Sequence, residues 1–219
     1  QPSSNRLNST SMNSPVRIPR REALARLGAA SLLRLGLWPG SLARGAGAGA
    51  EGQFKFIAVN DLHHDTEKCN DWFSAVTRQM RQHKEAEFAL LLGDLSDKGF
   101  RASMTAIRDH FRTLGIPFYT QIGNHDYYTA TDRSAYETTF PDRLNYLFEH
   151  QGWYFMGIDT TQSWNSSNPT VQSPTLAWVD ATLPQLDRRR PIVLFTHFPL
   201  GEGVKMVPLN ADLVLQRFL

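Results

Sequence analysis

Four short polar clusters each follow an apolar run, and their residue types are those of metal chemistry. In chain order they are Asn60-Asp61-Leu62-His63, Gly93-Asp94-Leu95-Ser96-Asp97, Gly123-Asn124-His125-Asp126 and Thr196-His197. Aspartate and asparagine supply oxygen and neutral histidine supplies nitrogen, a donor set suited to hard or borderline divalent ions. Cys69 is the sole cysteine, which argues against a structural cysteine–zinc knot and excludes an intrachain disulfide. Each cluster alone is a weak signal, since Asp-x-His is frequent and Gly-Asp is commonly a turn. The strength lies in their order and in the common position of all four, directly after an apolar run.

Those runs must be the elements that position the clusters. Residues 54–59, 88–92, 117–122 and 192–195 read as buried strands, as does 153–158. Between them lie helical patterns. Behind a capping Asn70, residues Trp72, Phe73, Val76 and Met80 share one face. Met104, Ile107, Phe111 and Leu114 follow at helical spacing, closed by Gly115. Ser173-Pro174 opens a helix striped by Leu176, Val179, Leu183 and Leu186. Two short helical pieces are predicted between residues 132 and 150, a surface loop over 160–173, a solvated turn at 188–190, and a final helix from Asn210 to Leu219. Strands alternating with helices predict an α/β domain with helices covering sheet. Ligands bind beyond the carboxyl ends of strands in open α/β sheets, so the four clusters can meet in one crevice. The glycines before Asp94 and Asn124 let the backbone turn sharply there. His64 and Asp65 read as a loop pair at the site's edge, His83, His110 and His150 as solvated, and Trp164 as a packing residue.

The ordered pattern Asp61-x-His63, Gly93-Asp94-x-x-Asp97, Gly123-Asn124-His125-Asp126 and a later His197 resembles that of the calcineurin-like metallophosphoesterases, over residues 54–219. The resemblance implies a two-sheet sandwich flanked by helices, an αββα fold, and two divalent or mixed-valence metal ions (Mn, Fe or Zn). Asp61 and His63 would hold the first ion, Asp94 would bridge, and Asn124 and His197 would hold the second. A hydroxide between the ions would attack the phosphorus in line. His125 would assist the leaving oxygen, with Asp126 orienting it. A Gly-His-x-His pair of further ligands, usual in the family, does not follow His197. The chain also lacks an initiating Met. The expectation is therefore a fragment, without the fold's last strands and of doubtful activity by itself.

Charge separates the chain into two parts. Seven of its 23 basic residues and one of its 21 acidic residues lie in residues 1–50, which leaves 16 bases against 20 acids, a net of −4, in 51–219. An acidic body gives no sign of a specific nucleic-acid partner. Residues 1–50 read as a disordered leader. Arg20-Arg21, the apolar stretch 24–42 and the small residues 45–50 behind Arg44 have the layout of a twin-arginine-like export signal. A periplasmic or extracellular location would follow, with the export machinery as a partner; without a functioning signal the protein would stay cytoplasmic. No run is long enough to span a membrane. The reading is a hydrolase of small phosphate mono- or diesters. The alternatives are a nuclease or cyclic-nucleotide phosphodiesterase on the same site, and a non-catalytic metal-binding domain.

Overall fold

The computed structural model describes residues 53–201 and 203–219. The leader reading, with its Arg20-Arg21 pair, lies outside the described residues. In the body, short aliphatic and aromatic runs form two three-stranded sheets. In the first, β1 (Lys55–Val59), β2 (Ala86–Leu92) and β3 (Phe118–Gln121) lie side by side in that order, all parallel. In the second, β4 (Tyr146–His150) pairs antiparallel with β5 (Trp153–Gly157), and β5 pairs parallel with β6 (Ile192–Phe195). Helices α1 (Asn70–Met80), α2 (Arg101–Arg112) and α3 (Ser134–Thr139) accompany the first sheet, and α4 (Ser173–Thr182) and α5 (Ala211–Leu215) the second.

The two-residue period of a strand decides the layering. On β2, Ala89 and Leu91 face a cluster with Phe73 of α1 and Met104, Ile107 and Phe111 of α2. Its alternate residues, Phe88 and Leu90, face Phe148, Phe155 and Phe195 of the other sheet. On β5 and β6, Met156 and Leu194 turn the opposite way, toward Val179 of α4 and Val214 of α5. The result is helix, sheet, sheet, helix, as the sequence resemblance implies. Aromatic rings fill the middle layer. Tyr119 stacks on Phe148 at 3.5 Å between centroids, Phe148 on Phe155 at 4.9 Å, and Phe88 meets Phe155 edge-on at 5.0 Å.

Several local expectations change. The segment 132–150 holds one helix and then β4, not two helical pieces. Tyr146 and Phe148 alternate with less buried neighbours, which is a strand pattern, and the hairpin turns on Gln151 (φ 43°) and Gly152 (φ 83°). Positive φ at both turn residues matches the twist of the strands they join. Trp72 lies off the buried face of α1 and is exposed. The last helix stops at Leu215, and Asn210 does not cap it. Its amide bonds both backbone groups of Val171, at 2.8 and 2.9 Å. The 160–173 loop begins buried, at Thr160 and Thr161. No helix among the described residues is long and apolar enough to cross a membrane.

Phe155 is fully buried where the two sheets meet. Phe155→Ala is expected to lower the unfolding free energy by about 3–5 kcal/mol, read as a shift of the urea midpoint at unchanged slope.

Candidate metal centre

Because β1, β2 and β3 are parallel, their carboxyl ends reach one edge, with Val59 beside Leu91 and Leu92 beside Gln121. The ladder continues into the loops. The Asp61 N–H donates to Gly93 O (3.2 Å), His63 N–H to Asp94 O (2.9 Å) and His64 N–H to Leu95 O (3.0 Å). The third loop is tied in by Asp126, whose carboxylate accepts the N–H groups of Ser96 (2.9 Å) and Gly123 (2.8 Å). The fourth arrives from the second sheet, where His197 Nδ1–H donates to Leu92 O at 2.9 Å.

Three of the predicted ligands sit in left-handed backbone: Asp61 at φ 53°, His63 at 45° and Asp94 at 50°. Such conformations cost about 1–3 kcal/mol each and persist where surrounding bonds enforce them. They aim the three side chains at one another. His63 Nε2 lies 3.7 Å from Asp61 Oδ1 and 3.6 Å from Asp94 Oδ2. The other Asp94 oxygen, Oδ1, lies 3.4 Å from His197 Nε2. His197 Nε2 is also 3.2 Å from Asn124 Oδ1, while the Asn124 amide donates to Trp164 O at 3.1 Å. All five predicted ligands are therefore brought together, and Asp94 presents one oxygen to each imidazole.

The donor chemistry of this cluster fits cations. A carbonyl only accepts, so the Leu92 bond places a proton on His197 Nδ1, and in the neutral ring this turns the Nε2 lone pair outward. That lone pair faces two more acceptors, Asp94 Oδ1 and Asn124 Oδ1. Three acceptors at this spacing repel unless a positive charge joins them. His63 repeats the arrangement, with Nε2 toward two carboxylates and Nδ1 buried without a hydrogen bond, 3.4 Å from Asp97 Oδ1. A metal-bound imidazole commonly has such a carboxylate or carbonyl behind it. Asp61, His63 and Asp94 have ligand atoms mutually within 4.8 Å, close enough to share one ion.

His125 is half-exposed beside the cluster, its ring 4.6 Å from that of His63. Its Nδ1 lies 2.9 Å from Asp97 O and 3.9 Å from Asp97 Oδ1. The expectation that Asp126 orients His125 is corrected here. Both Asp126 oxygens are engaged by backbone N–H groups, and Asp97 is the residue that meets the imidazole. Burial pushes the Asp126 carboxyl well above the usual range, against the pull of those N–H donors. Asp97 was visible in the sequence as the last residue of Gly-Asp-x-x-Asp but had no assigned role.

Other residues also move from their expected settings. His64 is buried, and His110, expected in solvent, joins it on Asn70. His150 lies 2.9 Å from Glu87 and edge-on to Phe54 and Phe88. Trp164 does not pack; the residue is 61% exposed while its carbonyl holds Asn124. The two glycines serve different ends. Gly93 (φ 95°) makes a turn few other residues adopt, and a Cβ there would lie 2.5 Å from His197 Nδ1. Gly123 is extended, at φ −112°, so it is not needed for a turn. It is small because Asp94 lies against it, and a Cβ would overlap the Asp94 backbone nitrogen and Oδ1.

The chain is similar to several known proteins. A family model described as calcineurin-like phosphoesterase matches residues 54–216. A probable cyclic nucleotide phosphodiesterase of Rhodopseudomonas palustris is 24% identical over 66% of this chain and 57% of its own length. A 3′,5′-cyclic-nucleotide phosphodiesterase of a Nostoc species is 26% identical, over 59% of this chain and 48% of its own length. A probable cyclic nucleotide phosphodiesterase of a Synechococcus species is 29% identical, over 60% and 49%. The chain thus spans about half the length of the curated relatives it matches. Among solved structures, a purple acid phosphatase from yellow lupin seeds aligns with 68% of this chain and 31% of its own, at 14% identity and a TM-score of 0.48.

Gly123→Ala tests the close approach to Asp94. The variant is expected to fold with a loss of about 1–3 kcal/mol and to bind Mn²⁺ about 10–100-fold more weakly, measured by calorimetric titration. Unchanged Mn²⁺ affinity would show that Asp94 need not lie against residue 123.

Proposed function

The chain belongs to the calcineurin-like phosphoesterase family, and on that premise we propose that it hydrolyses phosphate esters with two divalent ions. The observation that carries the reading is the Asp94 carboxylate, with one oxygen toward His63 and the other toward His197. Such a carboxylate can serve two ions at once. Asp61 and His63 would complete the first position, and Asn124 and His197 the second. When bound, the ions would polarise the phosphoryl oxygens and acidify a water; Mn, Fe and Zn all suit this donor set.

The chain's own residues supply the rest. His125 Nδ1 donates to the Asp97 carbonyl, so its Nε2 can donate as well only when the ring is an imidazolium. In that form Nε2–H is available to a leaving oxygen. Asp126 locks the 93–97 and 123–126 loops together, which keeps His125 in register with Asp94. The His125 backbone N–H donates to Asp94 Oδ1 at 2.8 Å.

Phosphodiesters, cyclic nucleotides first, are the substrates we propose. Two features support them over monoesters: the named activities of the three relatives above, and an exposed tryptophan, Trp164, whose backbone carbonyl accepts from Asn124 and whose indole is the kind of flat surface on which a nucleobase stacks. With Mn²⁺, the protein is expected to turn over bis(p-nitrophenyl) phosphate and 3′,5′-cyclic AMP faster than p-nitrophenyl phosphate, and to lose all three activities in EDTA. Bound Mn²⁺ with no turnover of any ester would favour a non-catalytic metal-binding domain instead. His125→Ala is expected to lower turnover by about 10²–10⁴-fold at unchanged metal content by elemental analysis. Metal lost in step with activity would make His125 a ligand.

A further inference from the structure

We propose that Asn70 is a positioning residue for the metal loop, acting through His64 to hold His63 in its left-handed conformation. The proposal rests on the reading of Asp61 and His63 as metal ligands. Asn70 opens α1, and its Oδ1 lies 3.0 Å from His64 Nε2 and 3.1 Å from His110 Nε2 on α2. An amide oxygen only accepts, so both rings donate Nε2–H to it. His64 is 3% exposed, and its ring lies 5.5 Å from that of Phe73. Phe73 in turn stacks on His110 at 5.7 Å. One side chain from the metal loop is thus seated between two helices by an oxygen that also spans both.

The backbone of His64 is held as firmly. Its N–H donates to Leu95 O at 3.0 Å and its carbonyl accepts the Asp97 N–H at 3.1 Å, forming a lone parallel bridge with Ser96. His63, immediately before it, has φ 45°. Relaxing that angle to an ordinary value would swing everything that follows, starting with His64. A clamped His64 therefore prevents the relaxation. In this way a polar contact between helices keeps the His63 imidazole aimed at Asp61 and Asp94. A packing role alone would not need an oxygen at residue 70.

Two readouts on the full chain separate these roles. Asn70→Ala is expected to speed amide exchange at His63 and His64 by about tenfold relative to the β2 amides. It should also weaken Mn²⁺ binding by about 10–100-fold. Asn70→Asp, which keeps an accepting oxygen, should restore both. His64→Phe fills the same space without a donor and should reproduce both losses, so the test survives if Asn70→Ala fails to fold. Unchanged exchange at His63 and His64 overturns the proposal, as does faster exchange with unchanged Mn²⁺ affinity. A native chain that takes up no Mn²⁺ counts against the metal reading instead, and the clamp is then decided by the exchange rates.

Discussion

Asp94 is held between two imidazoles from different sheets, and most of the local structure around it makes sense as a means of keeping it there. A buried carboxylate facing lone pairs is unfavourable in isolation. It is tolerable because His125 N–H donates to Oδ1 and because the remaining space suits cations. The tautomer of His197, fixed by Leu92 O, is the detail that turns a cluster of polar residues into a set of converging acceptors. Reversing that tautomer would allow an ordinary hydrogen bond from Nε2–H to Asp94. In the neutral ring, the Leu92 carbonyl opposes it by keeping the proton on Nδ1.

Holding those atoms requires strained backbone, and strain has to be enforced. Asp61, His63 and Asp94 all lie at positive φ. The parallel register of β1 and β2 supplies most of the enforcement, since the ladder runs on past Val59 and Leu91 through three loop hydrogen bonds. Asp126 extends the same control to the third loop, at the expense of a buried carboxyl whose charge is disfavoured by its surroundings. Its position next to His125 made it look like a catalytic partner. Its bonds are those of a cross-brace.

Much of this was legible in the sequence, for local reasons. Glycine, aspartate, asparagine and histidine at strand ends are a local signal, and the strands carrying them are short apolar runs with clear edges. The five ligand candidates, the order of the strands that bear them and the covering helices could all be read that way. What escaped depends on contacts between distant residues. His110 lies on α2 in a sequence context that looks solvated, and only the approach of His64 and Asn70 gives it a hydrogen-bond partner. Gly123 looks like a turn glycine until Asp94 is placed beside it. β4 escaped for another reason. Its alternation covers only five residues, of which Tyr146 and Phe148 face the other sheet.

That missed strand has a consequence for the site. β5 and β6 pair in parallel, and β4 closes the other side of β5, so the hairpin fixes where β5 lies and therefore where β6 ends. His197 is two residues beyond that end. Its ring passes over Gly93, where the space a side chain would fill is taken by the imidazole. The edge-on contacts of Phe88 with Phe148 and Phe155 set the spacing between the sheets, and through it the depth to which His197 reaches. The His197 end of the cluster therefore depends on inter-sheet aromatic packing, whereas the Asp61–His63 end depends on loop hydrogen bonds within one sheet. Loosening the middle layer should disturb His197 and Asn124 before Asp61 and His63, because only the former pair draws its members from both sheets.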